Sequence, residues 1–148
     1  MSTQTIPQTP VEIRELIRTN EYTGVTGGLA PGFVQANLVI LPEEQAFDFL
    51  LFCQRNPRPC PLLEVIEPGN VETKQTAPKA DIRTDISEYH IFKDGKLVNI
   101  ETDVRKYWRD DLVSFLLGCS FTFEGAMVDS GIPMRHWELN RNVTMFRT

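Results

Sequence analysis

With 148 residues, of which 41% are apolar and 24% charged, the chain has the length and balance of one ordinary folded domain. Disordered, collagen-like and repeat-array classes are excluded by the same figures. Fifteen basic against twenty acidic side chains leave a formal charge of −5, and no run of Lys or Arg exists that could follow a phosphate backbone, which argues against nucleic acid as a partner.

Thr9-Pro10-Val11-Glu12 has the pattern of a capping box with proline at the first helical position, and Ile13, Leu16 and Ile17 continue an amphipathic helix to about Asn20. Arg14 and Arg18 share its other flank with Val11. They read either as a carboxylate-binding pair or as a solvated basic face. Glu21 to Gly32 contains four glycines and a proline and reads as a loop, with neither GxGxxG nor GxxxxGK[ST] to support nucleotide binding. Phe33–Leu41 is predicted as a strand with Val34, Ala36, Leu38 and Ile40 on one face and Gln35 and Asn37 on the other. The two amides beside a glycine loop suit a carboxylate or carbonyl ligand, or pairing with loop backbone. Pro42 to Gln54 is predicted as a helix apolar nearly all round and therefore buried, ended by Asn56-Pro57. Leu62–Ile66 is a second strand, and Glu67 to Lys79 a long flexible excursion.

Asp81, Arg83 and Asp85 alternate, so an extended backbone would project all three to one face as an acid/base and anchoring set, or as an internal ion-pair network. Asp94-Gly95 between Tyr89–Lys93 and Lys96–Glu101 predicts a two-residue hairpin. The apolar run Leu112–Leu117 is predicted as a helix started by Asp110-Asp111, a second short helix as spanning Phe123 to Met127, and Met134–Leu139 as a last strand before an irregular tail. Cys119 and Ser120 would then stand at a helix N-terminus, where backbone N–H groups favour an anion or a thiol of lowered pKa, with Glu124 a turn further in; Ser120 as a cap and Cys119 as a packing residue fit the same residues. Arg135-His136 with Glu138 forms a second small cluster, and His90, in the hairpin, is the other histidine of the chain.

Cys53, Cys60 and Cys119 form an odd set without CxxC spacing, which predicts reduced thiols and no metal site. No apolar stretch approaches the ~20 residues of a membrane span, and the polar segment Met1 to Pro10 has no import or secretion pattern, so no membrane partner is expected and cytoplasm is the expected compartment.

Pro31–Leu38, Arg55–Leu63, Asp81–Asp85, Gly118–Glu124 and Gly131–His136 together resemble the hydro-lyase family related to D-glutamate cyclase. The similarity runs from the first helix to the end of the chain and covers the N-terminal half of that family's length. His90 departs from a common arginine of the family, Thr144 from its usual proline and Phe146 from its usual tyrosine. The resemblance implies an α/β fold in two lobes, lyase chemistry without metal or other cofactor, and a small carboxylate substrate, an amino or hydroxy acid. It implies no set of catalytic residues, so roles rest on chemistry. Arg83 or Arg135 would hold the substrate carboxylate, Cys119 and Ser120 the oxyanion, and Glu124 would transfer protons, with Asp81 or Asp85 as alternative. His136 would protonate a departing hydroxyl. A carboxylate-binding module built on Arg14, Arg18, Gln35, Asn37 and Ser120 is the competing reading, and a purely structural half the third. The expected architecture is a mixed central sheet containing Phe33–Leu41 and Leu62–Ile66, flanking helices and the hairpin. If the rest of the family's length covers one face, an apolar patch or a homo-oligomer is expected.

Overall fold

A computed structural model describes residues 9–139 and residue 141. The fold is of the mixed α/β class, with antiparallel sheets. Helix α1 (Pro10–Arg18) starts as expected: Thr9 Oγ1 accepts from the Glu12 N–H at 3.3 Å, and the Glu12 carboxylate accepts from the Thr9 N–H at 3.0 Å. Its apolar stripe, Ile13 and Ile17, packs on Tyr22, Leu29 and Ala30, which fastens the glycine-rich loop beneath the helix.

The main sheet has the order β1 (Ala36–Pro42), β5 (Leu112–Gly118), β2 (Leu62–Ile66), all antiparallel. Its central strand is the run predicted as a helix. Val113 and Phe115 face α2 (Glu43–Arg55) together with Val39, Leu41, Ala46 and Phe49, whereas Leu116 faces the opposite layer of Leu38, Ile66, Ile82 and Trp108. A strand covered on both faces needs apolar residues at successive positions, so the period of two disappears from its sequence. β1 begins three residues later than expected, because Phe33 still belongs to the glycine loop, its N–H donating to the Ala30 carbonyl.

Helix α2 packs on the sheet as predicted but is buried on one face only. Ala46, Phe49, Leu50 and Cys53 point inward, with the Phe49 ring edge-on to Phe115 at 5.0 Å, whereas Phe47 and Phe52 are exposed. Pro42 closes β1 and precedes the helix rather than opening it.

The excursion after β2 is pinned rather than flexible. Glu64, buried on β2, accepts hydrogen bonds from the backbone N–H groups of Lys74, Gln75 and Thr76 and from the Thr76 hydroxyl. Residues 81 to 85 form a turn, with the N–H groups of Thr84 and Asp85 donating to the Asp81 carbonyl, so the extended alternation expected there does not exist. The hairpin β3 (Tyr89–Lys93) and β4 (Lys96–Glu101) turns at Asp94 and Gly95, with φ of 50° and 74°, the left-handed pair that a tight two-residue turn requires. Phe92 opposite Leu97, and Ile100 opposite His90, leave an exposed apolar surface on this hairpin.

After β5 come α3 (Phe121–Asp129) and the four-residue α4 (Arg135–Glu138). The latter replaces the strand predicted over Met134–Leu139: the Trp137 and Glu138 N–H groups both donate to the Met134 carbonyl. The predicted irregular tail lies outside the described residues. Among those described, no helix is long and apolar enough to cross a membrane.

Candidate functional site

The site is built where β5 runs into α3. The Gly118 N–H donates to the Pro61 carbonyl at 2.8 Å, and a Cβ at Gly118 would lie 3.3 Å from the Pro61 ring, so this close approach suits glycine. Glu124, in the first turn of α3, is 2% exposed. Its Oε1 accepts from the Ser120 hydroxyl at 2.9 Å, and its Oε2 lies 2.9 Å from His136 Nε2 and accepts from Trp137 Nε1 at 3.0 Å. Burial pushes the Glu124 carboxyl up, but the bonds from His136, Trp137 and Ser120 outweigh it and hold the group below the ordinary glutamate range.

An ionised carboxylate only accepts, so the imidazole presents Nε2–H to Glu124 and the neutral ring carries its lone pair on Nδ1. His136 and Trp137 reach the same oxygen although adjacent in sequence. In a strand they would point to opposite faces, and the short helical turn of α4 is what lets both converge. Trp137 escaped the sequence reading; its signal was an indole N–H that needs a partner once sheltered.

Cys119 does not behave as a lowered-pKa thiol. Burial pushes it up, and the Glu124 charge adds to that, against the smaller opposing effect of the Phe121 and Thr122 N–H groups. Its Sγ donates to the Gln35 carbonyl at 3.6 Å. Ser120 occupies the position before α3 but does not cap it, since its hydroxyl is turned onto Glu124. Thr122, also missed from sequence, accepts from the Gln35 N–H at 3.1 Å. The Gln35 amide is spent on the loop, its Nε2 donating to the Leu29 carbonyl and its Oε1 accepting from Thr26. Asn37 is exposed on β1. Gly27 lets the same loop pass the Phe121 ring, which would be 3.2 Å from a Cβ at that position. The glycine loop is therefore clamped between α1 and α3.

The remaining predicted residues gather elsewhere. Asp85, with its side chain 2% exposed, accepts from Arg18 Nε and Nη at 2.5 Å each, from the Asp81 N–H at 3.1 Å and from the Thr84 hydroxyl at 3.1 Å. Arg83 makes a two-pronged pair with Asp81, whose carboxyl burial pushes up but the guanidinium draws below its usual range. Arg135 is exposed and paired with Glu138 at 2.8 Å. Two clusters result, one around Glu124 and one around Asp85, and among the described residues no hydrogen bond or ion pair joins them.

Known proteins match this chain closely. A family model described as D-glutamate cyclase matches residues 113–148. A protein of Natranaerobius thermophilus is 58% identical over 141 residues, which are 95% of this chain and 54% of that protein. One of Bacillus licheniformis is 57% identical over 139 residues, 94% and 53% of the two chains, and one of Corynebacterium urealyticum 53% identical over 148 residues, 100% and 56%. All three bear the name "Putative hydro-lyase". The chain is a homologue of these proteins. It spans about half the length of the curated relatives it matches.

The family-model match contains Cys119, Ser120, Glu124, Arg135 and His136, so the Glu124 cluster lies wholly in the matched segment. Asp81, Arg83, Asp85, Gln35 and Asn37 lie outside it. Among the described residues no group of three or more His, Cys, Asp or Glu side chains is arranged to hold a metal ion.

Proposed function

We propose that this chain supplies the proton-transfer half of a hydro-lyase acting on a small acidic amino acid or hydroxy acid, with D-glutamate, closing to 5-oxo-D-proline and water, as the first substrate to test. The observation that carries the reading is the Glu124–His136 pair: an ionised, water-sheltered carboxylate 2.9 Å from an imidazole that is itself 14% exposed. Such a carboxylate fixes the tautomer and orientation of the ring and stabilises the imidazolium that forms when Nδ1 takes a proton. Glu124 is already bound by three donors, so it serves as the positioning group and His136 as the acid and base.

For D-glutamate the bonds balance as follows. Starting from the neutral amine and the protonated γ-carboxyl, the amine nitrogen attacks the γ-carboxyl carbon and a C–N bond forms. The nitrogen loses one proton to Nδ1 of His136, and that proton passes to a hydroxyl of the tetrahedral carbon, whose C–O bond breaks to release water. Starting from the ammonium and the carboxylate, one further proton passes from nitrogen to oxygen by the same route. With a hydroxy acid the imidazole would take the proton beside the carboxylate and return it to the leaving hydroxyl. Cys119, held as a thiol, has no part in either sequence. The test is product formation by this chain and by the full-length Natranaerobius relative, offered D-glutamate and a panel of hydroxy acids, with His136→Asn made here and at the aligned position there. Loss of turnover in the variant is expected; undiminished turnover would remove His136 from the mechanism.

A further inference from the structure

We infer that Arg14 is a binding site for the carboxylate of a small anionic ligand. Arg14 and Arg18 lie one helical turn apart on α1 and converge on Asp85. The two Asp85 oxygens are already taken, Oδ1 by Arg18 Nε and the Thr84 hydroxyl, Oδ2 by Arg18 Nη and the Asp81 N–H. Arg14 is left with a single long approach, 3.7 Å from its Nε to Oδ2. That Nε is buried without a hydrogen-bond partner, and the Arg14 side chain as a whole is only 18% exposed. No hydrogen bond from its terminal nitrogens is found among the described residues.

A guanidinium has five N–H donors and no means of losing its charge, so sheltering one without an acceptor is costly unless something outside the cluster supplies one. The pairings around it agree. Arg18 is hydrogen-bonded to Asp85, and Arg83 to Asp81, and neither carboxylate makes a hydrogen bond to Arg14. The complement of a planar, positively charged fork is a planar anion with two oxygens, a carboxylate. The neighbouring segments are tied in place: α1 sits on the glycine loop, and the Ser87 hydroxyl donates to the Gly24 carbonyl at 2.6 Å, joining the 81–87 segment to the same loop. Among the described residues Arg14, unlike Arg83 and Arg135, is thus a guanidinium with no carboxylate hydrogen-bonded to it.

That this ligand is the substrate of a lyase rests on the function proposed above; the carboxylate site itself does not. Glutarate, which has both carboxylates of glutamate but no amine to cyclise, separates binding from chemistry. Titration calorimetry of the whole chain with glutarate, D-glutamate and inorganic phosphate is expected to show binding of both carboxylates. Arg14→Gln should weaken it tenfold or more, and Arg135→Gln should leave it within twofold. If Arg14→Gln fails to fold, Arg14→Lys decides, because it keeps the charge and loses the fork: a three- to tenfold weakening is expected. No binding of either carboxylate to the wild-type chain, equal affinity in the Arg14 variant, or phosphate binding tighter than glutarate would each overturn the assignment. Glutarate binding through Arg14 together with absence of turnover in the full-length relative would leave the anchor standing and sink the lyase reading.

Discussion

Glu64 and Glu124 are both buried glutamates held ionised by surrounding donors, and the difference lies in who the donors are. Around Glu64 they are three backbone N–H groups and one hydroxyl, all from residues 74 to 76 of one loop. None of these groups titrates, so the carboxylate can only hold the loop. Around Glu124 the donors are side chains from two places, Ser120 in the turn before α3 and His136 with Trp137 on α4, and one of them is an imidazole, which can carry a proton. A carboxylate surrounded by backbone builds structure; the same group against an imidazole can also prepare chemistry.

Replacing each glutamate by glutamine separates the two roles most sharply. At 124 the amide oxygen can accept from His136 and Trp137, and the amide nitrogen can donate to Ser120, whose hydroxyl reverses its role. Glu124→Gln should therefore fold with nearly unchanged stability and lose roughly a hundredfold or more in kcat, because the imidazolium is no longer stabilised. Retention of full activity in the assayed enzyme would make Glu124 a structural group like Glu64. At 64 both oxygens accept backbone N–H groups, so an amide nitrogen in either position faces a donor with another donor. Glu64→Gln should lower unfolding free energy in denaturant titration by roughly 2–4 kcal/mol. Activity per folded molecule should stay the same.

Acid should reach both glutamates in the same direction. Burial opposes ionisation at each, yet hydrogen bonds from Thr76, Lys74 and Gln75 at Glu64, and from His136, Trp137 and Ser120 at Glu124, draw both carboxyls below the ordinary value of 4.5. The unfolded chain therefore binds these protons first as pH falls. The stabilisation is complete above the ordinary value and drains away as pH drops through the lowered one. Denaturation midpoints measured from pH 7 down to pH 3 should fall mainly below about 4.5, and the Glu64→Gln chain should show a shallower fall. The smallest effect belongs to Cys119. Held protonated against the Gln35 carbonyl, it should react slowly with iodoacetamide at pH 7, and Cys119→Ala should leave turnover within twofold.

The sequence-level readings that survived are local ones. The Thr9 capping box, the Asp94-Gly95 turn, the strand Leu62–Ile66 and the helix after Pro42 each depend on neighbours within a few positions, and each is found where expected. Ser120 and Glu124 were legible as a pair because four residues on a helix bring side chains together. His136 was visible as a rare residue, but not its partner.

Long-range packing accounts for the failures. Leu112–Leu117 reads as a helix until the sheet is assembled around it, because covering a strand on both faces erases the alternation that identifies strands. Arg14 and Arg18 were recognisable as a pair fit to hold a carboxylate. That Arg18 is taken by Asp85 of the same chain, 67 residues away, while Arg14 Nε makes no hydrogen bond, is decided only in three dimensions. The amino-acid order by itself determined the fold class, the caps and turns, and the family likeness, all carried by contiguous segments. Tertiary structure alone decided which acid meets which base, because a buried charge is tolerated only where distant segments deliver its partners together.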